Sequence, residues 1–278
     1  MPPPAQGEHA AVTPSGAGIA CLRATPGWQR IDFISDLHLT EDRPLTFAAF
    51  DRLLRHTTAD AVFILGDLFE VWVGDDARHG RFESRCAATL AAASERRFVA
   101  FMAGNRDFLV GRELLDACGL QALDDPTVLD LPGERLLLTH GDAWCLADHD
   151  YQRFRAEVRD PAWRRSVLAR PLAERLALGA AMRAESERLK REKHDDLWAD
   201  VDAPTAVRTL QSVGAHVLLH GHTHRPGSDL LAPGLVRHVL SDWELDEPGI
   251  APRAEVLRWS RDGLTRLSVD AAVTPVST

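Results

Sequence analysis

The chain has 278 residues, 45% hydrophobic and 26% charged, with a net charge of −9. That length fits one large domain or a domain with a small insert, and the composition is that of an ordinary globular protein. No run approaches the ~18 uncharged apolar residues a membrane span requires, and the acidic balance argues against nucleic acid as a partner.

Residues 1–28 are rich in Pro, Gly and Ala and lack the basic start and apolar core of a secretory signal, so a flexible extension is expected there. The apolar run IDFI then reads as a buried strand and ends at Asp36-Leu37-His38. Pro44 to His56 has helical apolar spacing through Leu45, Ala49, Leu53 and Leu54. The run AVFIL ends at Gly66-Asp67, and the Ala-rich segment from Phe82 to Ser94 is helix-prone. FVAFMA ends at Gly104-Asn105, and RLLLT ends at His140-Gly141-Asp142. Strands alternating with helices predict an α/β layered fold.

Residues 147–212 switch to helix alone. Asp160-Pro161 is a good N-cap and N1 pair, and Pro171 opens a further helix. From Tyr151 to Lys193 there are 12 Lys and Arg against 6 Asp and Glu, a local +6 in a chain that is otherwise −15. Such a block suits an anionic substrate or a membrane surface, although a solvated helical face is the plainer alternative. Strands resume with HVLLH, which ends at Gly221-His222-Thr223-His224, and a final hairpin spans Glu255 to Val269 with its turn at Asp262-Gly263. Residues 29–146 and 213–270 therefore read as the core, 147–212 as a helical cap insertion and 271–278 as a tail. Cys21, Cys86, Cys118 and Cys145 show no C-x-x-C spacing, which favours reduced thiols and a cytosolic home.

As candidate ligands the five strand endings offer two Asp (Asp36, Asp67), Asn105 and four His (His38, His140, His222, His224). Side chains at strand ends are held rigidly and still reach the rim where ligands bind. Asp36 and His38 are two apart, as are His222 and His224, and residues i and i+2 of an extended segment share a face. Asp36 and His38 can therefore both bind one ion. Asp67 follows a glycine, where the backbone approaches closely and a carboxylate can bridge both ions. A lone D-x-H or H-x-H is weak, but five such endings in this order point to a dinuclear hydrolytic site. Imidazole mixed with carboxylate oxygen suits Mn, Fe or Zn better than Ca or Mg. Two such ions clamp a phosphoryl group and lower the pKa of a shared water, which attacks phosphorus in line with the leaving oxygen.

At these residues the chain resembles the calcineurin-like metallophosphoesterase superfamily, over about Ile31 to Arg225. The resemblance implies an α/β sandwich of two central β-sheets flanked by helices. It also implies one ion on Asp36, His38, Asp67 and His224 and a second on Asp67, Asn105, His140 and His222. GDLFEVWVGDD (66–76), GNRDF (104–108), HGD (140–142) and HGHTHRP (220–226) are more specific and resemble the UDP-2,3-diacylglucosamine pyrophosphohydrolase family. Glu70, Trp72, Asp75 and Asp76 lie outside the ligand set and add independent specificity. That resemblance implies two manganese ions, UDP-2,3-diacylglucosamine as substrate, lipid X and UMP as products, and peripheral contact with the cytoplasmic face of the inner membrane. It implies Asp67, Asn105, Arg106 and His222 as catalytic residues, and Asn105, Arg106, Asp148, Tyr151, Ser186, Lys193 and His222 as substrate contacts. No protein partner follows from it.

Arg106 stands where many phosphomonoesterases of the superfamily have His. A guanidinium cannot donate a proton at neutral pH, whereas a phosphate leaving from an anhydride needs none and benefits from a fixed cation. Arg106 therefore predicts a pyrophosphate substrate. Leu168, Leu172, Leu176, Met182, Leu189 and Trp198 are expected to line an acyl-chain pocket beneath the cap. Two other readings remain: a phosphoesterase for nucleoside diphosphate derivatives or cyclic nucleotides, and a metal-free scaffold on the same fold. Product analysis separates the first, and manganese binding the second.

Overall fold

In a computed structural model, which describes residues 12–14, 18–192 and 199–274, the apolar runs form strands of two sheets. In chain order the strands are β1 (Val12–Pro14), β2 (Ala20–Arg23), β3 (Arg30–Ile34), β4 (Ala61–Leu65), β5 (Phe98–Met102), β6 (Gln121–Leu123), β7 (Thr127–Leu131), β8 (Glu134–Leu138), β9 (Val217–His220), β10 (Gly227–Ala232), β11 (Leu235–Val239), β12 (Glu255–Ser260) and β13 (Gly263–Ser268). One sheet has the order β1-β2-β7-β8-β9-β11-β10 and the other β13-β12-β3-β4-β5-β6. Strands β3 to β6 run parallel, and so do β8, β9 and β11. Parallel neighbours end on the same edge, so the turns after β3, β4 and β5 leave one sheet together, and those after β8 and β9 leave the other together.

Apolar side chains fill the space between the sheets: Phe33, Phe63 and Met102 from one meet Leu129, Leu138 and Leu219 from the other. The helices are α1 (Pro44–His56), α2 (Arg81–Ser94), α3 (Arg112–Cys118), α4 (His149–Arg159), α5 (Pro161–Leu168), α6 (Leu172–Glu192), α7 (Ala203–Val213) and α8 (Val269–Val273). The first three and α8 cover the outer face of the six-stranded sheet, and α7 covers the other sheet. This is the layered α/β fold that the alternating pattern predicts, in the two-sheet form that the resemblance implies. The four cysteines are free, and no helix of the described residues is long and apolar enough to cross a membrane.

Three expected boundaries are corrected. Residues 20–23 are not part of an extension but pair in parallel with β7, from Ala20 on Thr127 to Arg23 on Asp130, and Leu22 is fully buried between the sheets. Trp28 follows and packs 4.9 Å from Phe98. The surrounding Pro and Gly hide a four-residue strand whose register comes from its neighbour. Helix α7 belongs to the core rather than the cap, since Ala206, Leu210 and Val213 pack with Leu137 and Leu218 of the sheet. The C-terminal tail is also shorter than expected, because Ala272 of α8 is fully buried.

Two distant contacts pin the sandwich. Arg258 of β12 forms a two-point ion pair with Asp32 of β3 (2.7 and 2.9 Å), and it also reaches Thr57, Thr58 and the Ala272 carbonyl. The N-terminus of α1 has no side-chain cap of its own, and Asp246 supplies one across the fold. Its carboxylate accepts the Leu45 and Thr46 N–H groups at 2.8 and 2.9 Å and the Thr46 hydroxyl. Burial pushes the Asp246 carboxyl up, but these bonds and Arg43 outweigh it, so its pKa lies below the ordinary value. A lowered folded pKa contributes stability above the unfolded value, which is lost as pH falls through the folded one. Asp246→Ala is expected to cost about 1 kcal/mol at neutral pH. In thermal melts the gap to the parent should narrow below about pH 4; a constant gap would contradict this capping role.

Candidate metal centre

Three of the five motif turns share a backbone feature that the alternation pattern did not reveal. Asp36, His38, Asp67, His222 and His224 have φ between 49° and 66°, and among the described residues they are the non-glycine residues with positive φ. The left-handed region costs an ordinary residue roughly 1–3 kcal/mol and persists only where the surroundings enforce it. Here the enforcement is visible. The Asp36 N–H donates to the Gly66 carbonyl, and the His38 N–H to the Asp67 carbonyl, at 3.1 and 3.0 Å. The expectation that Asp36 and His38 share the face of an extended strand is therefore corrected. Strand β3 ends at Ile34, and the two side chains converge because each sits on a left-handed turn.

Glycine is required where two turns touch. A Cβ on Gly104 would stand 2.2 Å from Asp67 Oδ1, and one on Gly221 would stand 2.2 Å from Asp36 Oδ2. The glycine before Asn105 thus lets its loop close on Asp67, and the one before His222 lets a loop of the other sheet close on Asp36.

The candidate ligands fall into two touching sets. In one, His38 Nε2 lies 3.2 Å from His224 Nε2, His224 Nε2 lies 3.4 Å from Asp36 Oδ1, and His38 Nε2 lies 3.9 Å from Asp67 Oδ2. In the other, Asn105 Oδ1 lies 3.0 Å from His140 Nε2 and 2.8 Å from His222 Nδ1, and His140 Nε2 lies 3.6 Å from Asp67 Oδ1. Asp67 thus faces one set with each oxygen. Donor atoms of Asp36, His38 and His224, and of Asp36, Asp67 and His140, lie within 4.8 Å of one another.

Outer partners turn the imidazoles inward. His140 Nδ1 donates to the Leu65 carbonyl at 2.9 Å, which turns Nε2 inward towards Asn105 and Asp67. His38 Nδ1 faces Glu70 at 3.1 Å, and His224 Nδ1 faces Asp242 at 3.6 Å. Were each of those outer nitrogens to carry its ring's proton, the two facing Nε2 atoms would both present lone pairs. Such an arrangement is repulsive unless a cation lies between them, so the donor set fits a metal. Burial would lower the pKa of His140, but Asp67, Asp36 and Asp142 outweigh it and raise it to about 9. Burial and the neighbouring His140 hold His222 down at about 4. Burial would raise Glu70, yet His38, Arg106 and Arg183 overcome it and keep it at about 2.

Residues 29–226 match the calcineurin-like phosphoesterase family. The chain belongs to that family. It is 42% identical over 236 residues to a protein of Aromatoleum aromaticum named UDP-2,3-diacylglucosamine hydrolase, covering 83% of this chain and 93% of that one. A protein of the same name from Stenotrophomonas maltophilia is 40% identical over 245 residues, covering 84% and 98%. One from Xanthomonas axonopodis pv. citri is 41% identical over 242 residues, covering 83% and 95%. The chain is thus a hydrolase, and its family implies a divalent metal centre for which candidate ligands are in place.

Beside this phosphoesterase centre, α4, α5 and α6 roof a cavity of about 570 Å³ that opens onto Asn105 and Arg106. Of the residues expected to contact substrate, Asp148, Tyr151 and Ser186 line it with Asn105 and Arg106. Arg106 donates to the Ser186 hydroxyl at 3.3 Å, and the Tyr151 ring lies 5.8 Å from that of His222. The Tyr151 hydroxyl donates to Asp142 at 2.6 Å, and Asp148 caps α4 by accepting the Tyr151 N–H. Lys193 lies outside the described residues.

The expected acyl lining is corrected. Met182 faces the cavity, but Leu168, Leu172 and Leu176 do not, and Leu168 and Leu176 are 41% and 49% exposed. Trp198 and the side chain of Leu189 lie outside the described residues. The inward face of α6 is Arg175, Leu178, Gly179, Met182, Arg183 and Ser186. Arg175 is almost fully buried, so the cap presents an arginine where hydropathy predicted leucine. Phe108, Trp163 and Phe154 supply the aromatic lining instead.

The E-x-W-x-G-D-D stretch carries the cap. Asp75 accepts the Trp72 indole N–H and the Gly111 and Leu114 N–H groups. Asp76 pairs at two points with Arg175, which also donates to the Val73 carbonyl at 2.6 Å. Sequence reasoning assigned no role to Asp107, Asp142, Arg159 or Arg183. Asp107 gathers the Gly104, Leu68 and Phe69 N–H groups, and Asp142 receives Tyr151 and Arg155 of α4. Arg159 donates to the Gly104 carbonyl at 2.8 Å. The triplet HGD and the aspartate of GNRDF were the available signals for the two carboxylates.

Proposed function

We propose that this hydrolase cleaves the pyrophosphate bond of UDP-2,3-diacylglucosamine to 2,3-diacylglucosamine 1-phosphate (lipid X) and UMP, with two manganese ions. The observation that carries the reading is the largely apolar cavity opening directly onto Asn105 and Arg106. It is of the size small amphiphile sites have, and it joins a place for acyl chains to a place for a diphosphate. The shared name of the relatives supports the same substrate.

Asp36, His38, Asp67 and His224 would hold one ion, and Asp67, Asn105, His140 and His222 the other. When bound, the ions supply charge neutralisation for the phosphoryl group and lower the pKa of water. The chain's own residues do the rest. Arg106, only 12% exposed, offers a permanent cation to the departing phosphate. The ring of Tyr151 lies 5.8 Å from that of His222 and flanks the site on that side. Ser186 holds the Arg106 guanidinium towards the cavity. The exposed Phe154, Leu168 and Leu176 of the cap, set among its arginines, favour peripheral contact with the inner membrane from the cytoplasm.

Arg106→Ala is expected to lower turnover of the diacyl substrate roughly 100- to 1,000-fold without changing manganese stoichiometry. Intact turnover in that variant would remove the argument for an anhydride. Products other than UMP and a sugar phosphate would favour a phosphoesterase of different specificity.

A further inference from the structure

We propose that Glu70 is a positioning residue that ties the candidate metal ligand His38 to the cap helix through Arg183, so that metal affinity depends on the cap. The inference rests on the reading of His38 as a ligand.

Glu70 is 7% exposed, and its two carboxylate oxygens face different ways. Oε2 lies 3.1 Å from His38 Nδ1, while Oε1 lies 3.2 Å from Arg183 Nη1 and 3.8 Å from Arg106 Nη1. The buried Nδ1 of His38 has no aligned hydrogen-bond partner, so Glu70 is the acceptor within its reach. Arg183 and Ser186 are three apart on α6 and share a face. Ser186 receives Arg106, and Arg106 returns to Glu70, so the contacts close a ring from core to cap and back.

This ring has a chemical consequence. A carboxylate on the outer nitrogen of a ligating imidazole fixes its tautomer and raises the basicity of the inner nitrogen. Glu70 can do so only while its side chain stays turned to His38. Arg183 holds the other oxygen and so sets that rotation. The second anchor of α6, Arg175 on Asp76, touches neither His38 nor Glu70. It is a contact of the same helix outside the ring, and its loss is a control for the ring's own contacts.

Manganese binding to the full chain, measured by titration calorimetry, tests this. Glu70→Gln is expected to weaken the affinity about 10- to 100-fold, the range for an outer partner of a metal-bound His. Arg183→Met should weaken it in the same direction, and its 39% side-chain exposure makes it a safe substitution for folding. The double variant should bind no more weakly than Glu70→Gln alone, and Asp76→Asn should bind as the parent does. Parent-like binding by either single variant in the ring would overturn the proposal, as would a loss in Asp76→Asn equal to that in Glu70→Gln. A parent that binds no manganese would contradict the metal-centre reading instead.

Discussion

Asp67→Asn is expected to remove one bound ion per chain and to slow hydrolysis roughly 1,000-fold, the scale of losing a principal electrostatic element of a site. The geometry makes the loss one-sided. Asp67 Oδ1 accepts the Arg106 N–H at 2.8 Å, so an asparagine must keep its oxygen there. Its amide NH2 then replaces Oδ2, the oxygen 3.9 Å from His38 Nε2. A donor would point where Asp36, His38 and His224 need an acceptor. Metal analysis of the purified variant beside its turnover checks this; parent levels of both would show that Asp67 is not shared between two ions.

The second large effect concerns stability. Arg258→Met leaves Asp32 fully buried without its cation, and breaking a buried pair from one side costs about 3–5 kcal/mol. In a chain of this size that is roughly 10 °C in Tm. Asp32→Val combined with Arg258→Met should recover part of the loss, because two matched apolar residues leave no buried charge. A melt of Arg258→Met within a degree or two of the parent would mean that the pair does not hold β3, β12 and α8 together.

The candidate ligands were legible because each follows an apolar run, and a polar residue after a buried strand has little reason to be there unless it reaches the rim. The way they converge was not legible. Alternating residues suggested an extended face, while Asp36, His38, His222 and His224 sit on left-handed turns that the neighbouring loop imposes. No local pattern encodes that. The cap was recognisable as helix, yet its inward face was misjudged. Arg175 reads as surface by hydropathy, and it is buried because Asp76, far away in sequence, neutralises it. Strand β2 was missed for a similar reason, since its pairing with β7 outweighs the Pro- and Gly-rich composition around it. Glu70 stood out in the sequence only as a member of a specific stretch, because the partners that give it meaning, His38, Arg106 and Arg183, come from three separate segments.

A dinuclear centre beneath a lipid-sized cavity is expected to cleave a nucleotide anhydride. The most direct measurement is release of UMP from UDP-2,3-diacylglucosamine with and without manganese, in the parent chain and in Asn105→Ala. Asn105 is decisive because its one oxygen meets both His140 and His222. Manganese-dependent UMP release is expected from the parent, with a fall of roughly 100-fold or more in the variant. UMP release that ignores manganese, or an Asn105→Ala variant as fast as the parent, would contradict it.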